Sequence, residues 1–145
     1  MKSSIRTFAL ATLVAIASLS QAHAQTQASR VSVPFAFESG GVSFAPGTYT
    51  ISKLDGGHIT LRDNKTTSMF LVNNADGPKN ATPGYVAFRK YGNRYFLAEY
   101  HLANSANSMA LPVSGKERRV SKDYAMNRTE PGRVQLALNV GDWIR

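Results

Sequence analysis

Apolar and polar residues alternate with a period of two along much of the chain. The clearest run is VSVPFAF, residues 31–37, in which valine and phenylalanine take every second position. That period is typical of a β-strand with one face buried and the other exposed. Pro34 has no backbone N–H to give to a neighbouring strand, so this strand is predicted to lie at a sheet edge or to contain a bulge. Similar runs predict further strands at residues 42–44, 48–53, 58–62, 66–72, 85–90, 94–102 and 133–140.

Turn residues separate these runs. Three pairs of small or turn-forming residues are predicted to close β-hairpins. The pairs are Gly40-Gly41, Gly56-Gly57 and Gly92-Asn93. Pro46 and Gly47 fit a type II turn, in which proline presets φ and the glycine takes a positive φ. Two longer segments rich in Asn, Ser, Gly and Pro, residues 73–84 and 103–112, are predicted to be loops.

One segment near the C-terminus has helical signals instead. Ser114 is followed three residues later by Glu117, which matches a capping box at the start of a helix. A short helix over residues 115–126 is therefore predicted. Its inward-facing side chains are predicted to be Val120, Tyr124 and Ala125.

The predicted fold class is all-β and mainly antiparallel. Many short strands with turns every few residues indicate a small β-barrel or a β-sandwich, with the one short C-terminal helix packed on it. Closure into a barrel would remove exposed strand edges. Periodicity alone does not distinguish the barrel from the sandwich.

The N-terminus has the pattern of a secretory signal peptide. Lys2 and Arg6 precede an apolar stretch at residues 8–19, which is too short for a transmembrane helix. Ala-His-Ala at residues 22–24 fits a cleavage site. We therefore predict a signal peptide at residues 1–24 and a single β-domain at residues 25–145, exported to the periplasm or the extracellular space. The chain has no cysteine, so the domain is expected to fold without disulfides.

The chain is basic, with 17 Lys and Arg against 9 Asp and Glu. Two of these cations belong to the predicted signal peptide, which leaves an excess of six positive charges in the exported domain. A basic surface favours anionic partners such as lipid headgroups or acidic polysaccharide. Export makes nucleic acid the least suitable of the anionic partners, so no nucleic-acid binding is predicted.

Three blocks of sequence resemble those of a known family. The blocks are VPFAF followed by APGTYTI (a PFxF and GTYxI pattern), an aromatic hairpin around YGNRYF, and LP followed by the basic helix in LPVSGKERR. They resemble a family of small exported β-rich proteins, mostly acidobacterial, whose function is uncharacterised. The resemblance covers about half of the predicted mature chain and implies the β fold and export. Residues 100–109 depart from the family pattern, which often has Trp, Thr and Pro there.

The hairpin at residues 85–101 contains the candidate chemistry. Glu99 and His101 lie two apart on a predicted strand, so their side chains share a face and could act as an acid/base pair or as part of a metal site. A zinc site needs three or four ligands, and no cysteine can contribute. The alternating tyrosines and cations could instead form a surface that binds a sugar, a lipid or an anion. The candidate surface comprises Tyr85, Arg89, Tyr91, Arg94, Tyr95, Glu99 and His101.

These observations leave three functional hypotheses. The first is an exported, non-enzymatic β-domain of the bacterial cell envelope with a binding or structural role. The alternative is a lipocalin-like carrier that holds a small apolar ligand inside the fold. The third is a hydrolase using Glu99 and His101. No cofactor is predicted, no transmembrane span is predicted in the mature chain, and the oligomeric state is left open.

Overall fold

The computed structural model describes residues 28–79, 81–127 and 130–139. This part of the chain forms eleven strands and one helix. The strands are β1 (Ala28–Val33), β2 (Phe37–Ser39), β3 (Val42–Phe44), β4 (Gly47–Leu54), β5 (His58–Arg62), β6 (Thr67–Leu71), β7 (Asn73–Asp76), β8 (Tyr85–Tyr91), β9 (Arg94–His101), β10 (Asn107–Ala110) and β11 (Gly132–Ala137), and the helix is α1 (Gly115–Met126). The prediction of a mainly antiparallel all-β fold with one short helix is confirmed.

Two sheets face each other in a sandwich-like arrangement. Sheet A has the strand order β1-β4-β5-β6, and sheet B has the order β11-β8-β9-β10-β7. The β2–β3 hairpin joins sheet B through a parallel pair between β2 and β9. Side chains from both sheets form one buried apolar cluster. Its members are Val31, Val33, Phe37, Phe44, Tyr49, Ile51, Ile59, Leu61, Val72, Val86, Phe88, Leu97, Tyr100, Met109, Leu111 and Leu138.

The two sheets are linked at both lateral edges. On one side the chain leaves β6 and enters β7 at Val72, whose N–H donates to the carbonyl of Gly57 at 2.8 Å. On the other side Arg30 of β1 and Asn139, which follows β11, exchange backbone hydrogen bonds of 3.0 and 2.8 Å. Backbone hydrogen bonds therefore join the two sheets at the β1 edge, whereas at the β6 edge the sheets are joined by the chain itself, because the Val72–Gly57 bond continues the β5–β6 pairing within sheet A.

The first predicted strand is divided between the two sheets. Alternation predicts one strand over residues 31–37, but β1 ends at Val33 in sheet A and β2 begins at Phe37 in sheet B. Pro34 ends the pairing of β1 with β4 because it has no N–H to donate. Residues 34–36 therefore carry the chain across from one sheet to the other.

Two short strands form within segments that were predicted to be loops. β7 has the sequence NNAD and β10 has the sequence NSMA, and the two pair in antiparallel register with Asn107 opposite Asp76. Asparagine and aspartate favour turns, so the composition of these segments indicates loops. Pairing between the two segments overrides that local preference.

The Pro46-Gly47 turn also differs from the prediction. Gly47 does not have the positive φ that a type II turn needs, and it is instead the first residue of β4, paired with Val33. The hairpin turns at Gly40-Gly41 and Gly56-Gly57 form as predicted, with positive φ at both glycines of each pair.

The helix has the predicted bounds but a different buried side chain. The Ser114 hydroxyl accepts a hydrogen bond from the Glu117 N–H at 3.1 Å, which confirms the N-cap. Val120 and Tyr124 are half-buried, as expected of inward positions, whereas Ala125 is exposed. The most buried side chain of α1 is that of Glu117, with 2 % of its surface exposed. A charged residue therefore makes the deepest contact between the helix and sheet B.

The predicted signal peptide, residues 1–24, lies outside the described residues, as do Val140 and the end of the chain. Within the described residues, α1 is too short and too polar to be a membrane-spanning segment, and no other helix qualifies.

Candidate functional site

The outer face of sheet A carries a row of two arginines and a threonine. Side chains alternate between the faces of a strand, so residues of β4 next to the buried Tyr49 and Ile51 point away from the core. Strand register places Arg30 of β1 opposite Thr50 of β4, and Thr50 opposite Arg62 of β5. We call these three residues the arginine row. The two arginine Cα atoms lie two strand spacings apart, about 10 Å.

A groove runs over the arginine row. Its volume is about 580 Å³. It is lined by Arg30, Thr48, Thr50, Arg62, Asp63 and Asn64. We call it the polar groove. All six side chains can form hydrogen bonds, and the guanidinium groups provide donors in a fixed planar fork. The groove is therefore suited to a polar ligand with acceptor oxygens.

The turn after β5 forms one end of the polar groove. The backbone N–H groups of Lys65 and Thr66 donate to Asp63 Oδ1 at 2.7 and 2.6 Å, and the Asp63 N–H donates to the Thr66 carbonyl. These backbone hydrogen bonds hold the pKa of the Asp63 carboxyl below its usual value. The carboxylate thus organises the turn that follows Arg62.

Sequence reasoning missed the polar groove. Arg30, Thr50 and Arg62 belong to three different strands, and only the register between those strands brings them together. The signal that was available is the alternation itself, which assigns the three residues to outward positions. It does not say which outward positions are neighbours.

Of the seven residues predicted as a surface, Tyr85, Glu99 and His101 lie together on the outer face of sheet B. The Tyr85 hydroxyl donates to Glu99 Oε1 at 2.8 Å, and Arg133 Nη2 donates to Glu99 Oε2 at 2.7 Å. Burial alone would raise the pKa of Glu99, but the hydrogen bond from Tyr85 and the charge of Arg133 outweigh it, so the pKa lies below its ordinary value of 4.5. Both oxygens of this carboxylate are already engaged.

His101 is enclosed beside this group. Its side chain has 0 % exposure, and its ring stacks on that of Tyr85 with 4.9 Å between centroids. Neither ring nitrogen has a hydrogen-bond partner among the described residues. Glu99 and His101 do share a strand face, as predicted. A substrate could reach the imidazole only if the chain that covers it moved, so the geometry gives no support to the hydrolase hypothesis.

Arg89 and Tyr91 lie beneath the helix. Arg89 pairs with Glu117 through Nε and through Nη2, the latter at 3.2 Å from Glu117 Oε2. The Tyr91 hydroxyl donates to the same carboxylate at 3.4 Å, and the Tyr91 ring meets Tyr124 edge-on at 5.8 Å. These two residues fasten α1 to sheet B. Tyr91 is buried and is therefore not part of an exposed surface.

Arg94 and Tyr95 lie at a third place, beside β2. Arg94 Nη2 and Lys116 Nζ each lie 2.7 Å from an oxygen of Glu38. Burial alone would raise the pKa of Glu38, but these two cations outweigh it and lower the pKa. The Tyr95 ring stacks on Phe35 at 3.9 Å. A small cavity of about 170 Å³ borders Arg94 and Tyr95.

The seven predicted residues are thus divided among three places on sheet B and do not form one exposed face. Most of them join elements together, whereas the polar groove is open. In the part of the chain that the structure describes, no three or more of His, Asp and Glu lie close enough together to hold a metal ion. Comparisons of the chain with models of protein families, with curated proteins and with solved structures find no match.

Proposed function

We propose that the protein is an exported, non-enzymatic binding domain of the bacterial cell envelope, which holds an anionic partner in the polar groove. The arginine row is the observation that carries this proposal. Two guanidinium groups with a hydroxyl between them provide the donor set that sulfate, phosphate and carboxylate groups accept most readily. Their spacing across three strands suits a partner with more than one anionic group.

The charge of the whole chain supports an anionic partner. The excess of positive charge, 17 Lys and Arg against 9 Asp and Glu, attracts anions from a distance before any contact forms. Four of the cations near sheet B are already paired with carboxylates: Arg89, Arg94, Lys116 and Arg133. Arg62, by contrast, is exposed at the polar groove.

Export rests on the sequence. The basic start, the apolar stretch and the Ala-His-Ala site support a signal peptide at residues 1–24, and the resemblance to small exported β-rich proteins agrees with it. The location is the periplasm or the extracellular space.

A binding role on the outside of the fold is favoured over a lipocalin-like carrier by the packing between the sheets. The buried cluster there contains five aromatic rings as well as branched aliphatic side chains. Phe37 alone packs against Phe44, Tyr49 and Phe88 at ring-centroid distances of 5.0, 5.3 and 5.3 Å. Side chains occupy the region where a carrier would hold its ligand.

The test is a titration with a soluble sulfated or uronic-acid polysaccharide at low salt, followed by calorimetry or fluorescence anisotropy. Arg62→Gln is expected to weaken binding about fivefold, since one exposed cation contributes on the order of 1 kcal/mol. Added salt should weaken binding of the wild type as well. Arg118→Gln is the matched control, because it removes the same charge from an exposed position on α1. Equal losses in the two variants, or no binding at low salt, would refute the proposed function.

A further inference from the structure

The edge strand β6 exposes two large apolar side chains on the outer face of sheet A. Met69 is 61 % exposed and Leu71 is 57 % exposed, whereas Phe70 between them packs against the core. We call Met69 and Leu71 the apolar pair. The other large apolar side chains that are exposed among the described residues occur singly, at Val42, Val113 and Met126. Single exposed apolar residues are common on protein surfaces, whereas neighbouring ones on one strand face indicate an interaction site.

The apolar pair lies beside the polar groove. Register places Arg62 opposite Thr67 on β6, so Met69 is the diagonal neighbour of Arg62. Such neighbours lie about 7–8 Å apart, within reach of long side chains. Leu71 lies opposite His58 on β5, and His58 lies opposite the half-buried Leu54 on β4. One sheet face therefore presents guanidinium groups and apolar side chains next to each other.

We propose that the partner held by the polar groove is the surface of an anionic lipid bilayer. The proposal rests on the proposed function and specifies its partner. The arginine row would bind headgroup phosphates, while the apolar pair enters the boundary between headgroups and acyl chains. A soluble polysaccharide offers anionic groups and hydroxyls but nothing for Met69 and Leu71 to contact. A lipid surface offers both an anionic and an apolar component.

The attachment would be shallow and reversible. Two inserted side chains and two arginines give far less binding free energy than a membrane-spanning segment. The positive net charge of the chain adds attraction toward an anionic surface that falls with ionic strength.

The experiment is co-sedimentation of the full mature chain with vesicles of phosphatidylcholine alone and of mixed phosphatidylcholine and phosphatidylglycerol. The wild type should bind the mixed vesicles and not the neutral ones. Met69→Gln and Leu71→Gln should each weaken vesicle binding about tenfold. Both variants should bind the soluble polyanion as the wild type does. Met126→Gln is the matched control, since Met126 is 75 % exposed at the end of α1 and away from this face.

The outcomes separate this inference from the proposed function. If Met69→Gln and Leu71→Gln bind mixed vesicles as the wild type does, while Arg62→Gln weakens polyanion binding, the lipid surface is overturned and the anion-binding role stands. If Arg62→Gln changes neither binding reaction, the proposed function fails. If the wild type sediments as a dimer that Met69→Gln dissociates, the apolar pair is an interface between two copies, and the inference is overturned.

Discussion

Gly77 packs against the buried ring of His101 more closely than any other residue type would allow. A Cβ added at Gly77 would lie 2.7 Å from two atoms of the imidazole and 3.1 Å from the backbone nitrogen of Ser108. The same ring is stacked on that of Tyr85. A single glycine therefore makes room for a histidine that is enclosed on sheet B, and any larger residue in place of Gly77 would force the His101 ring to move.

We expect Gly77→Ala to lower the free energy of unfolding by about 1–3 kcal/mol, because the methyl group forces the ring or the neighbouring strand to move. Urea unfolding followed by circular dichroism measures the change. Gly115→Ala is the control, since an added Cβ there has no neighbour closer than 4.0 Å and alanine favours a helix. A Gly77→Ala protein as stable as the wild type would show that His101 is not held as described.

At the scale of elements, α1 is attached to sheet B mainly by polar contacts. Glu117, the most buried residue of the helix, pairs with Arg89 and accepts a hydrogen bond from Tyr91. The preceding residue, Lys116, forms an ion pair with Glu38. The apolar part of the contact includes the half-buried Val120 and Tyr124, whose ring meets that of Tyr91. The Arg89–Glu117 ion pair thus attaches α1 to the sheet, whereas most surface helices are attached by a stripe of apolar residues.

We expect Glu117→Ala to destabilise the protein by about 2 kcal/mol, because it leaves Arg89 partly buried without its carboxylate. Arg89 keeps 28 % of its side chain exposed, so water compensates part of the loss. In this variant, amide hydrogen exchange should accelerate over residues 115–126 more than it does in the sheets. Asp123→Ala removes an exposed carboxylate from the same helix and should change exchange little. Similar exchange in the two variants would contradict this account of the helix contact.

Elements with local signals were predictable from the sequence, and those that depend on pairing were not. The capping box at Ser114 and Glu117 marks the start of α1, and alternation gives the bounds of β5. β7 and β10 contain turn-favouring residues and become strands through pairing, β7 with β10 and β10 also with β9. The same limit applies to the candidate site. The polar groove requires three strands in register, while the residues singled out from the sequence, such as Tyr91 and His101, are buried.

For the whole molecule, two carboxylates connect separate parts of the chain and make stability depend on pH. Glu38 joins β2 to β9 and α1, and Glu99 joins β9 to β8 and β11. Both have a pKa lowered from the ordinary value of 4.5 by their partners, against the opposing effect of burial. Below pH 4.5 the unfolded chain therefore takes up protons that the folded protein does not.

We expect the free energy of unfolding to be nearly constant well above the unfolded pKa of 4.5, and to fall as the pH drops from that value through the lowered pKa values of the folded protein. Urea unfolding at a series of pH values measures this dependence. Glu99→Gln should be less stable at neutral pH and should show a flatter acid limb. Asp123→Asn, which changes the net charge equally at an exposed position, should keep the wild-type slope. If the stability of Glu99→Gln fell with acid as that of the wild type does, Glu99 would not contribute to the pH dependence of the free energy of unfolding.

The hydrogen bonds between Arg30 and Asn139 also bear on the order in which the strands can pair during synthesis. A chain is synthesised from its N-terminus, so β1, β4, β5 and β6 can pair with one another while the later strands do not yet exist. The second edge of β1 must wait for Asn139, near the end of the described chain. Until then β1 keeps an open edge of the kind that recruits strands from other molecules. A chain in which Asn139 is not yet in place is therefore more open to edge-to-edge aggregation than the folded protein.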